Sequence, residues 1–218
     1  AEILTLLGRL LSKSLLAAQP VYHDKDSSTR YRFLDSIQSF GRMKLEETGE
    51  AAQISNRHAR YFVKLVEAAE MELLMQNQLT WYKLLQAEYD NLYAVVEWSV
   101  QSAQPEWALR IVGALTWFWF RSDSNREGLN LVLKALSIPS APQLGIARGK
   151  ALNNAGFFQC LLGDTSSARQ SLNEAYSIFN ASNDRINLAW TLQFMGLAFA
   201  YDKEYDAADD AYHRGLAI

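Results

Sequence analysis

Residues able to do covalent or metal chemistry are few and badly placed for it. His23, His58 and His213 are scattered, and no His-Glu-x-x-His run puts two metal ligands on one helical face. Cys160 is the only cysteine, so neither an intrachain disulfide nor a cysteine-based zinc site can form. No Gly-x-x-x-x-Gly-Lys-Ser/Thr loop is present to cradle a phosphate, and no serine occupies a Gly-x-Ser-x-Gly elbow. These patterns argue against an enzyme in this segment and imply no cofactor. His58 reads as a packed or capping histidine, and Cys160 as a small apolar wall residue. Binding is the chemistry left to find.

The elements that would position a binding surface announce themselves through an interval of forty. Gly128, Ala168 and Ala208 are forty apart, as are Val132, Leu172 and Tyr212, then Ala135, Ala175 and Gly215. Thr116, Gly156 and Gly196 keep the same interval upstream. Small residues recur where two helices must approach closely, and bulky ones where a hole must be filled. A fixed period of this size marks stacked helical hairpins, since one hairpin cannot bury its apolar face alone. The pairs expected are 106–121 with 125–137, 146–162 with 165–180, and 185–201 with 204–217. Ser122-Asp123-Ser124, Gly163-Asp164 and Ser182-Asn183-Asp184 supply the turns, with Asp164 as an N-cap. Pro139, Pro142 and Gly145 form a linker between the first and second units.

Upstream, the pattern changes. Ile3, Leu4, Leu7, Leu10 and Leu11 predict an amphipathic helix over residues 2–13. Residues 15–22 read as a strand, 23–28 as a polar tip, and 30–34 as the returning strand. Asp35 and Ser36 are candidate caps for a helix with Ile37, Phe40, Met43 and Leu45 on its apolar side, ending near Gly49. Helix, hairpin, helix is the back half of a winged helix. Two long helices follow, over 54–75 with Tyr61, Phe62, Leu65 and Val66 inward, and over 79–100 with Trp81, Leu85, Tyr89, Leu92 and Val96 inward. The fold class is therefore mainly α, a helical-hairpin superhelix preceded by a partial winged-helix segment with one β-hairpin. The expected divisions are 1–50, 51–104 and 105–218.

Composition sets the outer bounds. A hydrophobic fraction of 49% and a charged fraction of 21% suit an ordinary well-packed domain. The formal net charge of −3 gives no general attraction to nucleic acid or acidic membranes. No apolar run is long enough to span a bilayer. A lone cysteine fits a reducing cytoplasm.

The second and third units resemble the tetratricopeptide repeat, through Ala155-Gly156, Ala168, Leu172 and Ala175, then Met195-Gly196, Ala208, Tyr212 and Gly215. Leu115-Thr116 with Gly128, Val132 and Ala135 is a degenerate first unit, and the period of forty exceeds the family's usual length of about thirty-four. The resemblance implies that the first helix of each hairpin lines a concave wall. It assigns Arg110, Gly113, Trp117 and Phe120 to that wall from the first unit. The second gives Lys150, Asn153, Phe157 and Cys160, and the third Trp190, Gln193, Leu197 and Ala200. Cations, amides and rings mixed in this way suit a protein, a peptide or a small inducer. Equally, Trp117, Phe157 and Trp190 could simply pack between helices. On the wall reading, changing Lys150 and Asn153 removes binding and leaves stability nearly intact.

A second resemblance runs through Lys13-Ser14-Leu15-Leu16, residues 30–37 (Arg-Tyr-Arg-Phe-Leu-Asp-Ser-Ile), residues 57–62 (Arg-His-Ala-Arg-Tyr-Phe) and Glu88-Tyr89-Asp90-Asn91-Leu92. Their order is similar to the segment after the nucleotide-binding core of bacterial STAND ATPases, a class that includes large transcriptional activators. The resemblance implies a regulatory arm that receives an inducer or partner, contacts an ATPase domain lying before residue 1, and controls it. The winged helix would then be a joint. Contact of Arg9, Lys13, Lys25, Arg30 and Arg32 with DNA phosphates is the competing use, disfavoured by a leucine-rich helix with few base-reading side chains. No polar capping helix closes the repeats, so further repeats are expected after residue 218, and self-association through Tyr212, Leu216 and Ile218 is a further expectation.

Overall fold

Hydrophobic periodicity dictates helices along most of the chain, and the computed structural model bears this out. It describes residues 2–23, 26–140 and 142–218, without the side chains of residues 2, 20–28 and 142. Asp24 and Lys25 of the expected polar tip, and the His23 side chain, lie outside the described residues. Two units are present, Ala1–Asn56 and Arg57–Ile218.

In the first unit, α1 (Glu2–Ser12) is followed by an antiparallel hairpin of β1 (Leu16–His23) and β2 (Asp26–Phe33), then α2 (Asp35–Glu47). The strand register pairs Leu16 with Phe33 and Ala18 with Tyr31. The expected Asp35/Ser36 cap is not formed. Leu34 holds the N-cap position without a side-chain hydrogen bond, and Asp35 is already helical. The last turn closes on Thr48, and Gly49 takes the left-handed conformation (φ 72°) that favours glycine. Among the described side chains of this unit only Leu16 is a buried hydrophobic, while Phe40 and Met43 on the apolar side of α2 are exposed.

The second unit begins within α3 (Ala51–Glu72), continues through α4 (Gln78–Gln101), and reaches the repeats. The inward side of α3 is Ala59, Phe62, Val63, Val66 and Ala69. Tyr61, expected inside, is 63% exposed, with its ring edge-to-face against Phe62 of the same helix. One helix was expected over 106–121, and two are found, α5 (Pro105–Ala114) and α6 (Thr116–Arg121). The cause is a buried amide. Asn154 Nδ2 donates to the carbonyl of Val112 (2.7 Å) and to that of Gly113 (3.2 Å). Those carbonyls would otherwise accept from residues 116 and 117 in a continuous helix. Thr116 Oγ1 in turn donates to Asn154 Oδ1.

The remaining helices are α7 (Asn125–Leu136), α8 (Gly145–Leu161), α9 (Thr165–Ser182), α10 (Arg185–Tyr201) and α11 (Tyr205–Leu216), with a single 3₁₀ turn over Pro142–Leu144 before α8. Their turns follow the sequence. Asp164 accepts from the Ser167 amide at 3.1 Å, Asp184 accepts from the Asn187 amide at 3.1 Å, and Gly163 (φ 85°) and Asn183 (φ 55°) adopt the left-handed conformation. The α8 helix touches α5, α7, α9 and α10, and every residue from 151 to 160 is buried. That stretch is mostly apolar or small, as a central helix must be, with Asn153, Asn154 and Gln159 as its buried polar residues.

The forty-residue echo becomes contact between two of its series. A Cβ built on Gly156 would lie 2.5 Å from Leu172 Cγ, and one on Gly196 only 2.4 Å from Tyr212 Cε1. Small residue meets large residue within each hairpin, at the same level one repeat apart. Gly196→Ala gains about 1 kcal/mol of helix propensity but must displace the Tyr212 ring. A net loss of about 1–3 kcal/mol is expected in urea unfolding, and an unchanged or raised midpoint would contradict the packing.

Candidate functional site

Three of the first helices in the hairpins present rings to one another. Trp117 of α6 lies 6.0 Å from Phe157 of α8 and 5.3 Å from Trp190 of α10, measured between ring centroids. Phe194 stacks on Phe157 at 4.7 Å, and Phe120 reaches Phe157 at 5.5 Å. The rings do pack between helices, but unequally. Phe157 is interior and Trp117 half-buried, whereas Trp190 and Phe120 keep 36% and 44% of their surface open. The result is an aromatic ladder with its inner edge in the core and its outer edge in solvent.

Beside the ladder, Glu70, Gly113, Trp117, Lys150, Asn153 and Trp190 line a narrow cleft of about 40 Å³, closed by Thr116, Asn154, Asn187 and Phe194. Gly113 is small because the second hairpin passes over it. A Cβ there would meet Lys150 Cβ at 3.1 Å. The Lys150 ammonium is 2.6 Å from Glu70, a residue of α3 that sequence reasoning passed over. No motif or spacing in the sequence links it to Lys150, eighty positions on. Asn153 is 4% exposed. Its Nδ2 donates to the Asn187 carbonyl at 3.4 Å, while its Oδ1, also buried, has no hydrogen-bond partner.

The other wall positions go elsewhere. Arg110 is held by Glu67 through two bonds (2.8 and 2.9 Å) and by Glu106 at 3.0 Å, so its charge is satisfied within the protein. Leu197 packs partly buried against the core, and Cys160 is fully buried. Burial pushes the Cys160 thiol up to about 12, which leaves it inert as a nucleophile. Gln193 lies with Arg185, Ile186, Gly215 and Ile218 in a shallow groove at the far end of the repeats, which also includes Trp190. Leu216 and Ile218 are exposed there, and Tyr212 is half-buried under Gly196. Because Asn153 is interior and Lys150 is ion-paired, changing both would disturb packing as well as binding. The double substitution is not a clean probe of the wall.

Two of the three histidines have described side chains, and both have protein neighbours. His58 packs against Phe62 at 4.7 Å and shares a hydrogen bond with Asn91, and His213 is exposed, 3.5 Å from Asp209. In the first unit Arg9, Lys13 and Arg32 are exposed and Arg30 is partly so, while Lys25 lies outside the described residues. Among the described residues no helix is long and apolar enough to cross a membrane.

The tetratricopeptide-repeat profile matches residues 148–218. The match falls on the second and third hairpins. Similar proteins include one from Mycobacterium bovis and two from strains of Mycobacterium tuberculosis, each bearing the name HTH-type transcriptional regulator. Identity is 30% over 129 residues, covering 59% of this chain and 14% of each relative. The matched region is thus a small part of those proteins.

Burial lowers the pKa of His58, outweighing the Asn91 hydrogen bond and the charge of Glu88 that act to raise it. The folded state then binds a proton less readily than the unfolded chain, whose histidine titrates near 6.5. Stability is unaffected above that pH and falls as pH drops through it. Urea midpoints compared at pH 7.5 and 5.5 should decline more for the natural chain than for His58→Gln. An equal decline would show that His58 is not the group responsible.

Proposed function

We propose that the second unit is a non-catalytic regulatory arm that binds a protein or peptide partner, or a small inducer, on the wall formed by α6, α8 and α10. In the longer protein, occupancy of this wall would control transcription through an ATPase or regulator module elsewhere in the chain. The first unit would serve as the joint, as the back half of a winged helix. The observation that carries the reading is the aromatic ladder, whose outer rings Trp190 and Phe120 stay open to solvent, Trp190 also lining the cleft beside it. Repeat arrays commonly use such a face for protein recognition, and the mycobacterial relatives named as transcriptional regulators support a regulatory role. Cytoplasmic placement follows from that role.

The test uses the full-length protein in its own host. Trp190→Ser with Phe120→Ser removes the open rings and leaves the interior ones in place. The transcriptome of that strain should match that of a deletion strain, with the purified variant still unfolding cooperatively. A transcriptome indistinguishable from the parent's would show that the wall has no regulatory use.

A further inference from the structure

Residues 51–66 of α3 contain no aspartate or glutamate, although the chain as a whole carries a net charge of −3. Within that stretch Arg57, Arg60, Tyr61 and Lys64 follow i, i+3, i+4 and i+7, which is one face of a helix. The buried residues Ala59, Phe62, Val63 and Val66 occupy the opposite side. All four outward residues are exposed, Tyr61 with 63% of its surface open. Among the described residues no carboxylate pairs with Arg57, Arg60 or Lys64. Cations elsewhere behave differently. Lys44, Arg110 and Arg214 each meet a carboxylate three or four positions away on their own helix. Lys134 and Arg148 reach one on a neighbouring helix, Glu97 and Glu174 respectively.

Left alone, this face works against its own helix. Arg57 with Arg60, and Arg60 with Lys64, are like-charged neighbours at the spacings where side chains meet, and such pairs weaken a helix. We propose that this face of α3 docks an acidic segment of a protein partner. Carboxylates about 5–6 Å apart, as on one helical face, would meet the two guanidiniums and the ammonium in turn. Each guanidinium can take a carboxylate through two parallel N–H···O bonds, and the repulsion along α3 is then relieved. The Tyr61 ring supplies apolar area among the charges, with a hydroxyl at its tip. Nucleic acid is the competing anion, and the observations favour it less. The patch runs only about 10 Å along the helix, so it would displace about three counterions from a duplex. The negatively charged remainder of the chain repels a long polyanion. A short acidic segment stays within the patch. The surface shares no residue with the wall of α6, α8 and α10.

The purified chain is titrated by fluorescence anisotropy at about 50 mM salt, where surface charges are weakly screened. The probes are a tagged alanine-rich peptide with glutamates at intervals of three and four residues, the same peptide with glutamine in their place, and a duplex DNA of about 20 base pairs. The acidic peptide should bind with a Kd below about 1 mM, and the glutamine peptide about tenfold more weakly. Arg57→Gln with Arg60→Gln and Lys64→Gln should remove the difference between the two peptides. Its urea midpoint should be unchanged or slightly raised, because the like charges are gone. Arg60→Gln alone, at the centre of the face, should weaken the acidic peptide severalfold. Lys83→Gln with Arg126→Gln and Lys203→Gln removes the same charge from other exposed positions and should leave binding within about twofold. Absence of binding by the acidic peptide, equal binding of the two peptides, or equal loss in both triple variants overturns the proposal. So does DNA binding that is tighter than the acidic peptide's and is lost with Arg57, Arg60 and Lys64, which would assign the face to nucleic acid.

Discussion

A helix cannot pack at the centre of a stack unless something on its surface lets neighbours come close. In this chain that condition is met by glycine set against a large side chain, Gly156 under Leu172 and Gly196 under Tyr212. With no Cβ at those points the two helices of a hairpin approach until the larger residue covers bare backbone. Dense contact follows, and one hairpin then offers the next a flat, repeatable face. The α8 helix takes the extreme position, buried along residues 151–160 and shared by four neighbours.

Burial on all sides forces polar residues of α8 to find partners or to stay unpaired, and both outcomes shape the wall. Asn154 finds partners by taking the carbonyls of Val112 and Gly113, which ends α5 and starts α6 at Leu115. Trp117 belongs to the short helix so created, and its ring meets Phe157 and Trp190. Asn153, one residue earlier, satisfies its nitrogen and not its oxygen. A structural amide and an unsatisfied one therefore sit side by side on the helix that carries the core. Polar atoms of this second kind are rare in folded proteins because of their cost, which is why they point toward use.

Periodic features were legible in the sequence. The interval of forty located the hairpins, their turns and the glycines at the crossings, since each reflects a local rule of spacing or capping. Features that depend on one residue answering another far away were not legible. The break at Leu115 requires Asn154 from the next hairpin, and the ion pair of Lys150 requires Glu70, eighty positions upstream. The concave stripe was drawn from one helical face, so it grouped Arg110 and Leu197 with Trp117 although the former is neutralised by Glu67 and the latter is packed inward. Exposure was the other blind spot. Tyr61 has the type and spacing of a core residue, and nothing in its neighbourhood indicates that no element covers it.

The central claim is that glycine-against-bulk contact sets the helix spacing, and a double-mutant cycle at Gly156 and Leu172 tests it most directly. Gly156→Ala and Leu172→Ala should each destabilise the chain in urea unfolding. Combined, they should cost less than their sum by about 1 kcal/mol or more, because removing Leu172 makes room for the new methyl group. Strict additivity would mean that the two residues do not constrain one another, and would contradict the packing on which the wall is built.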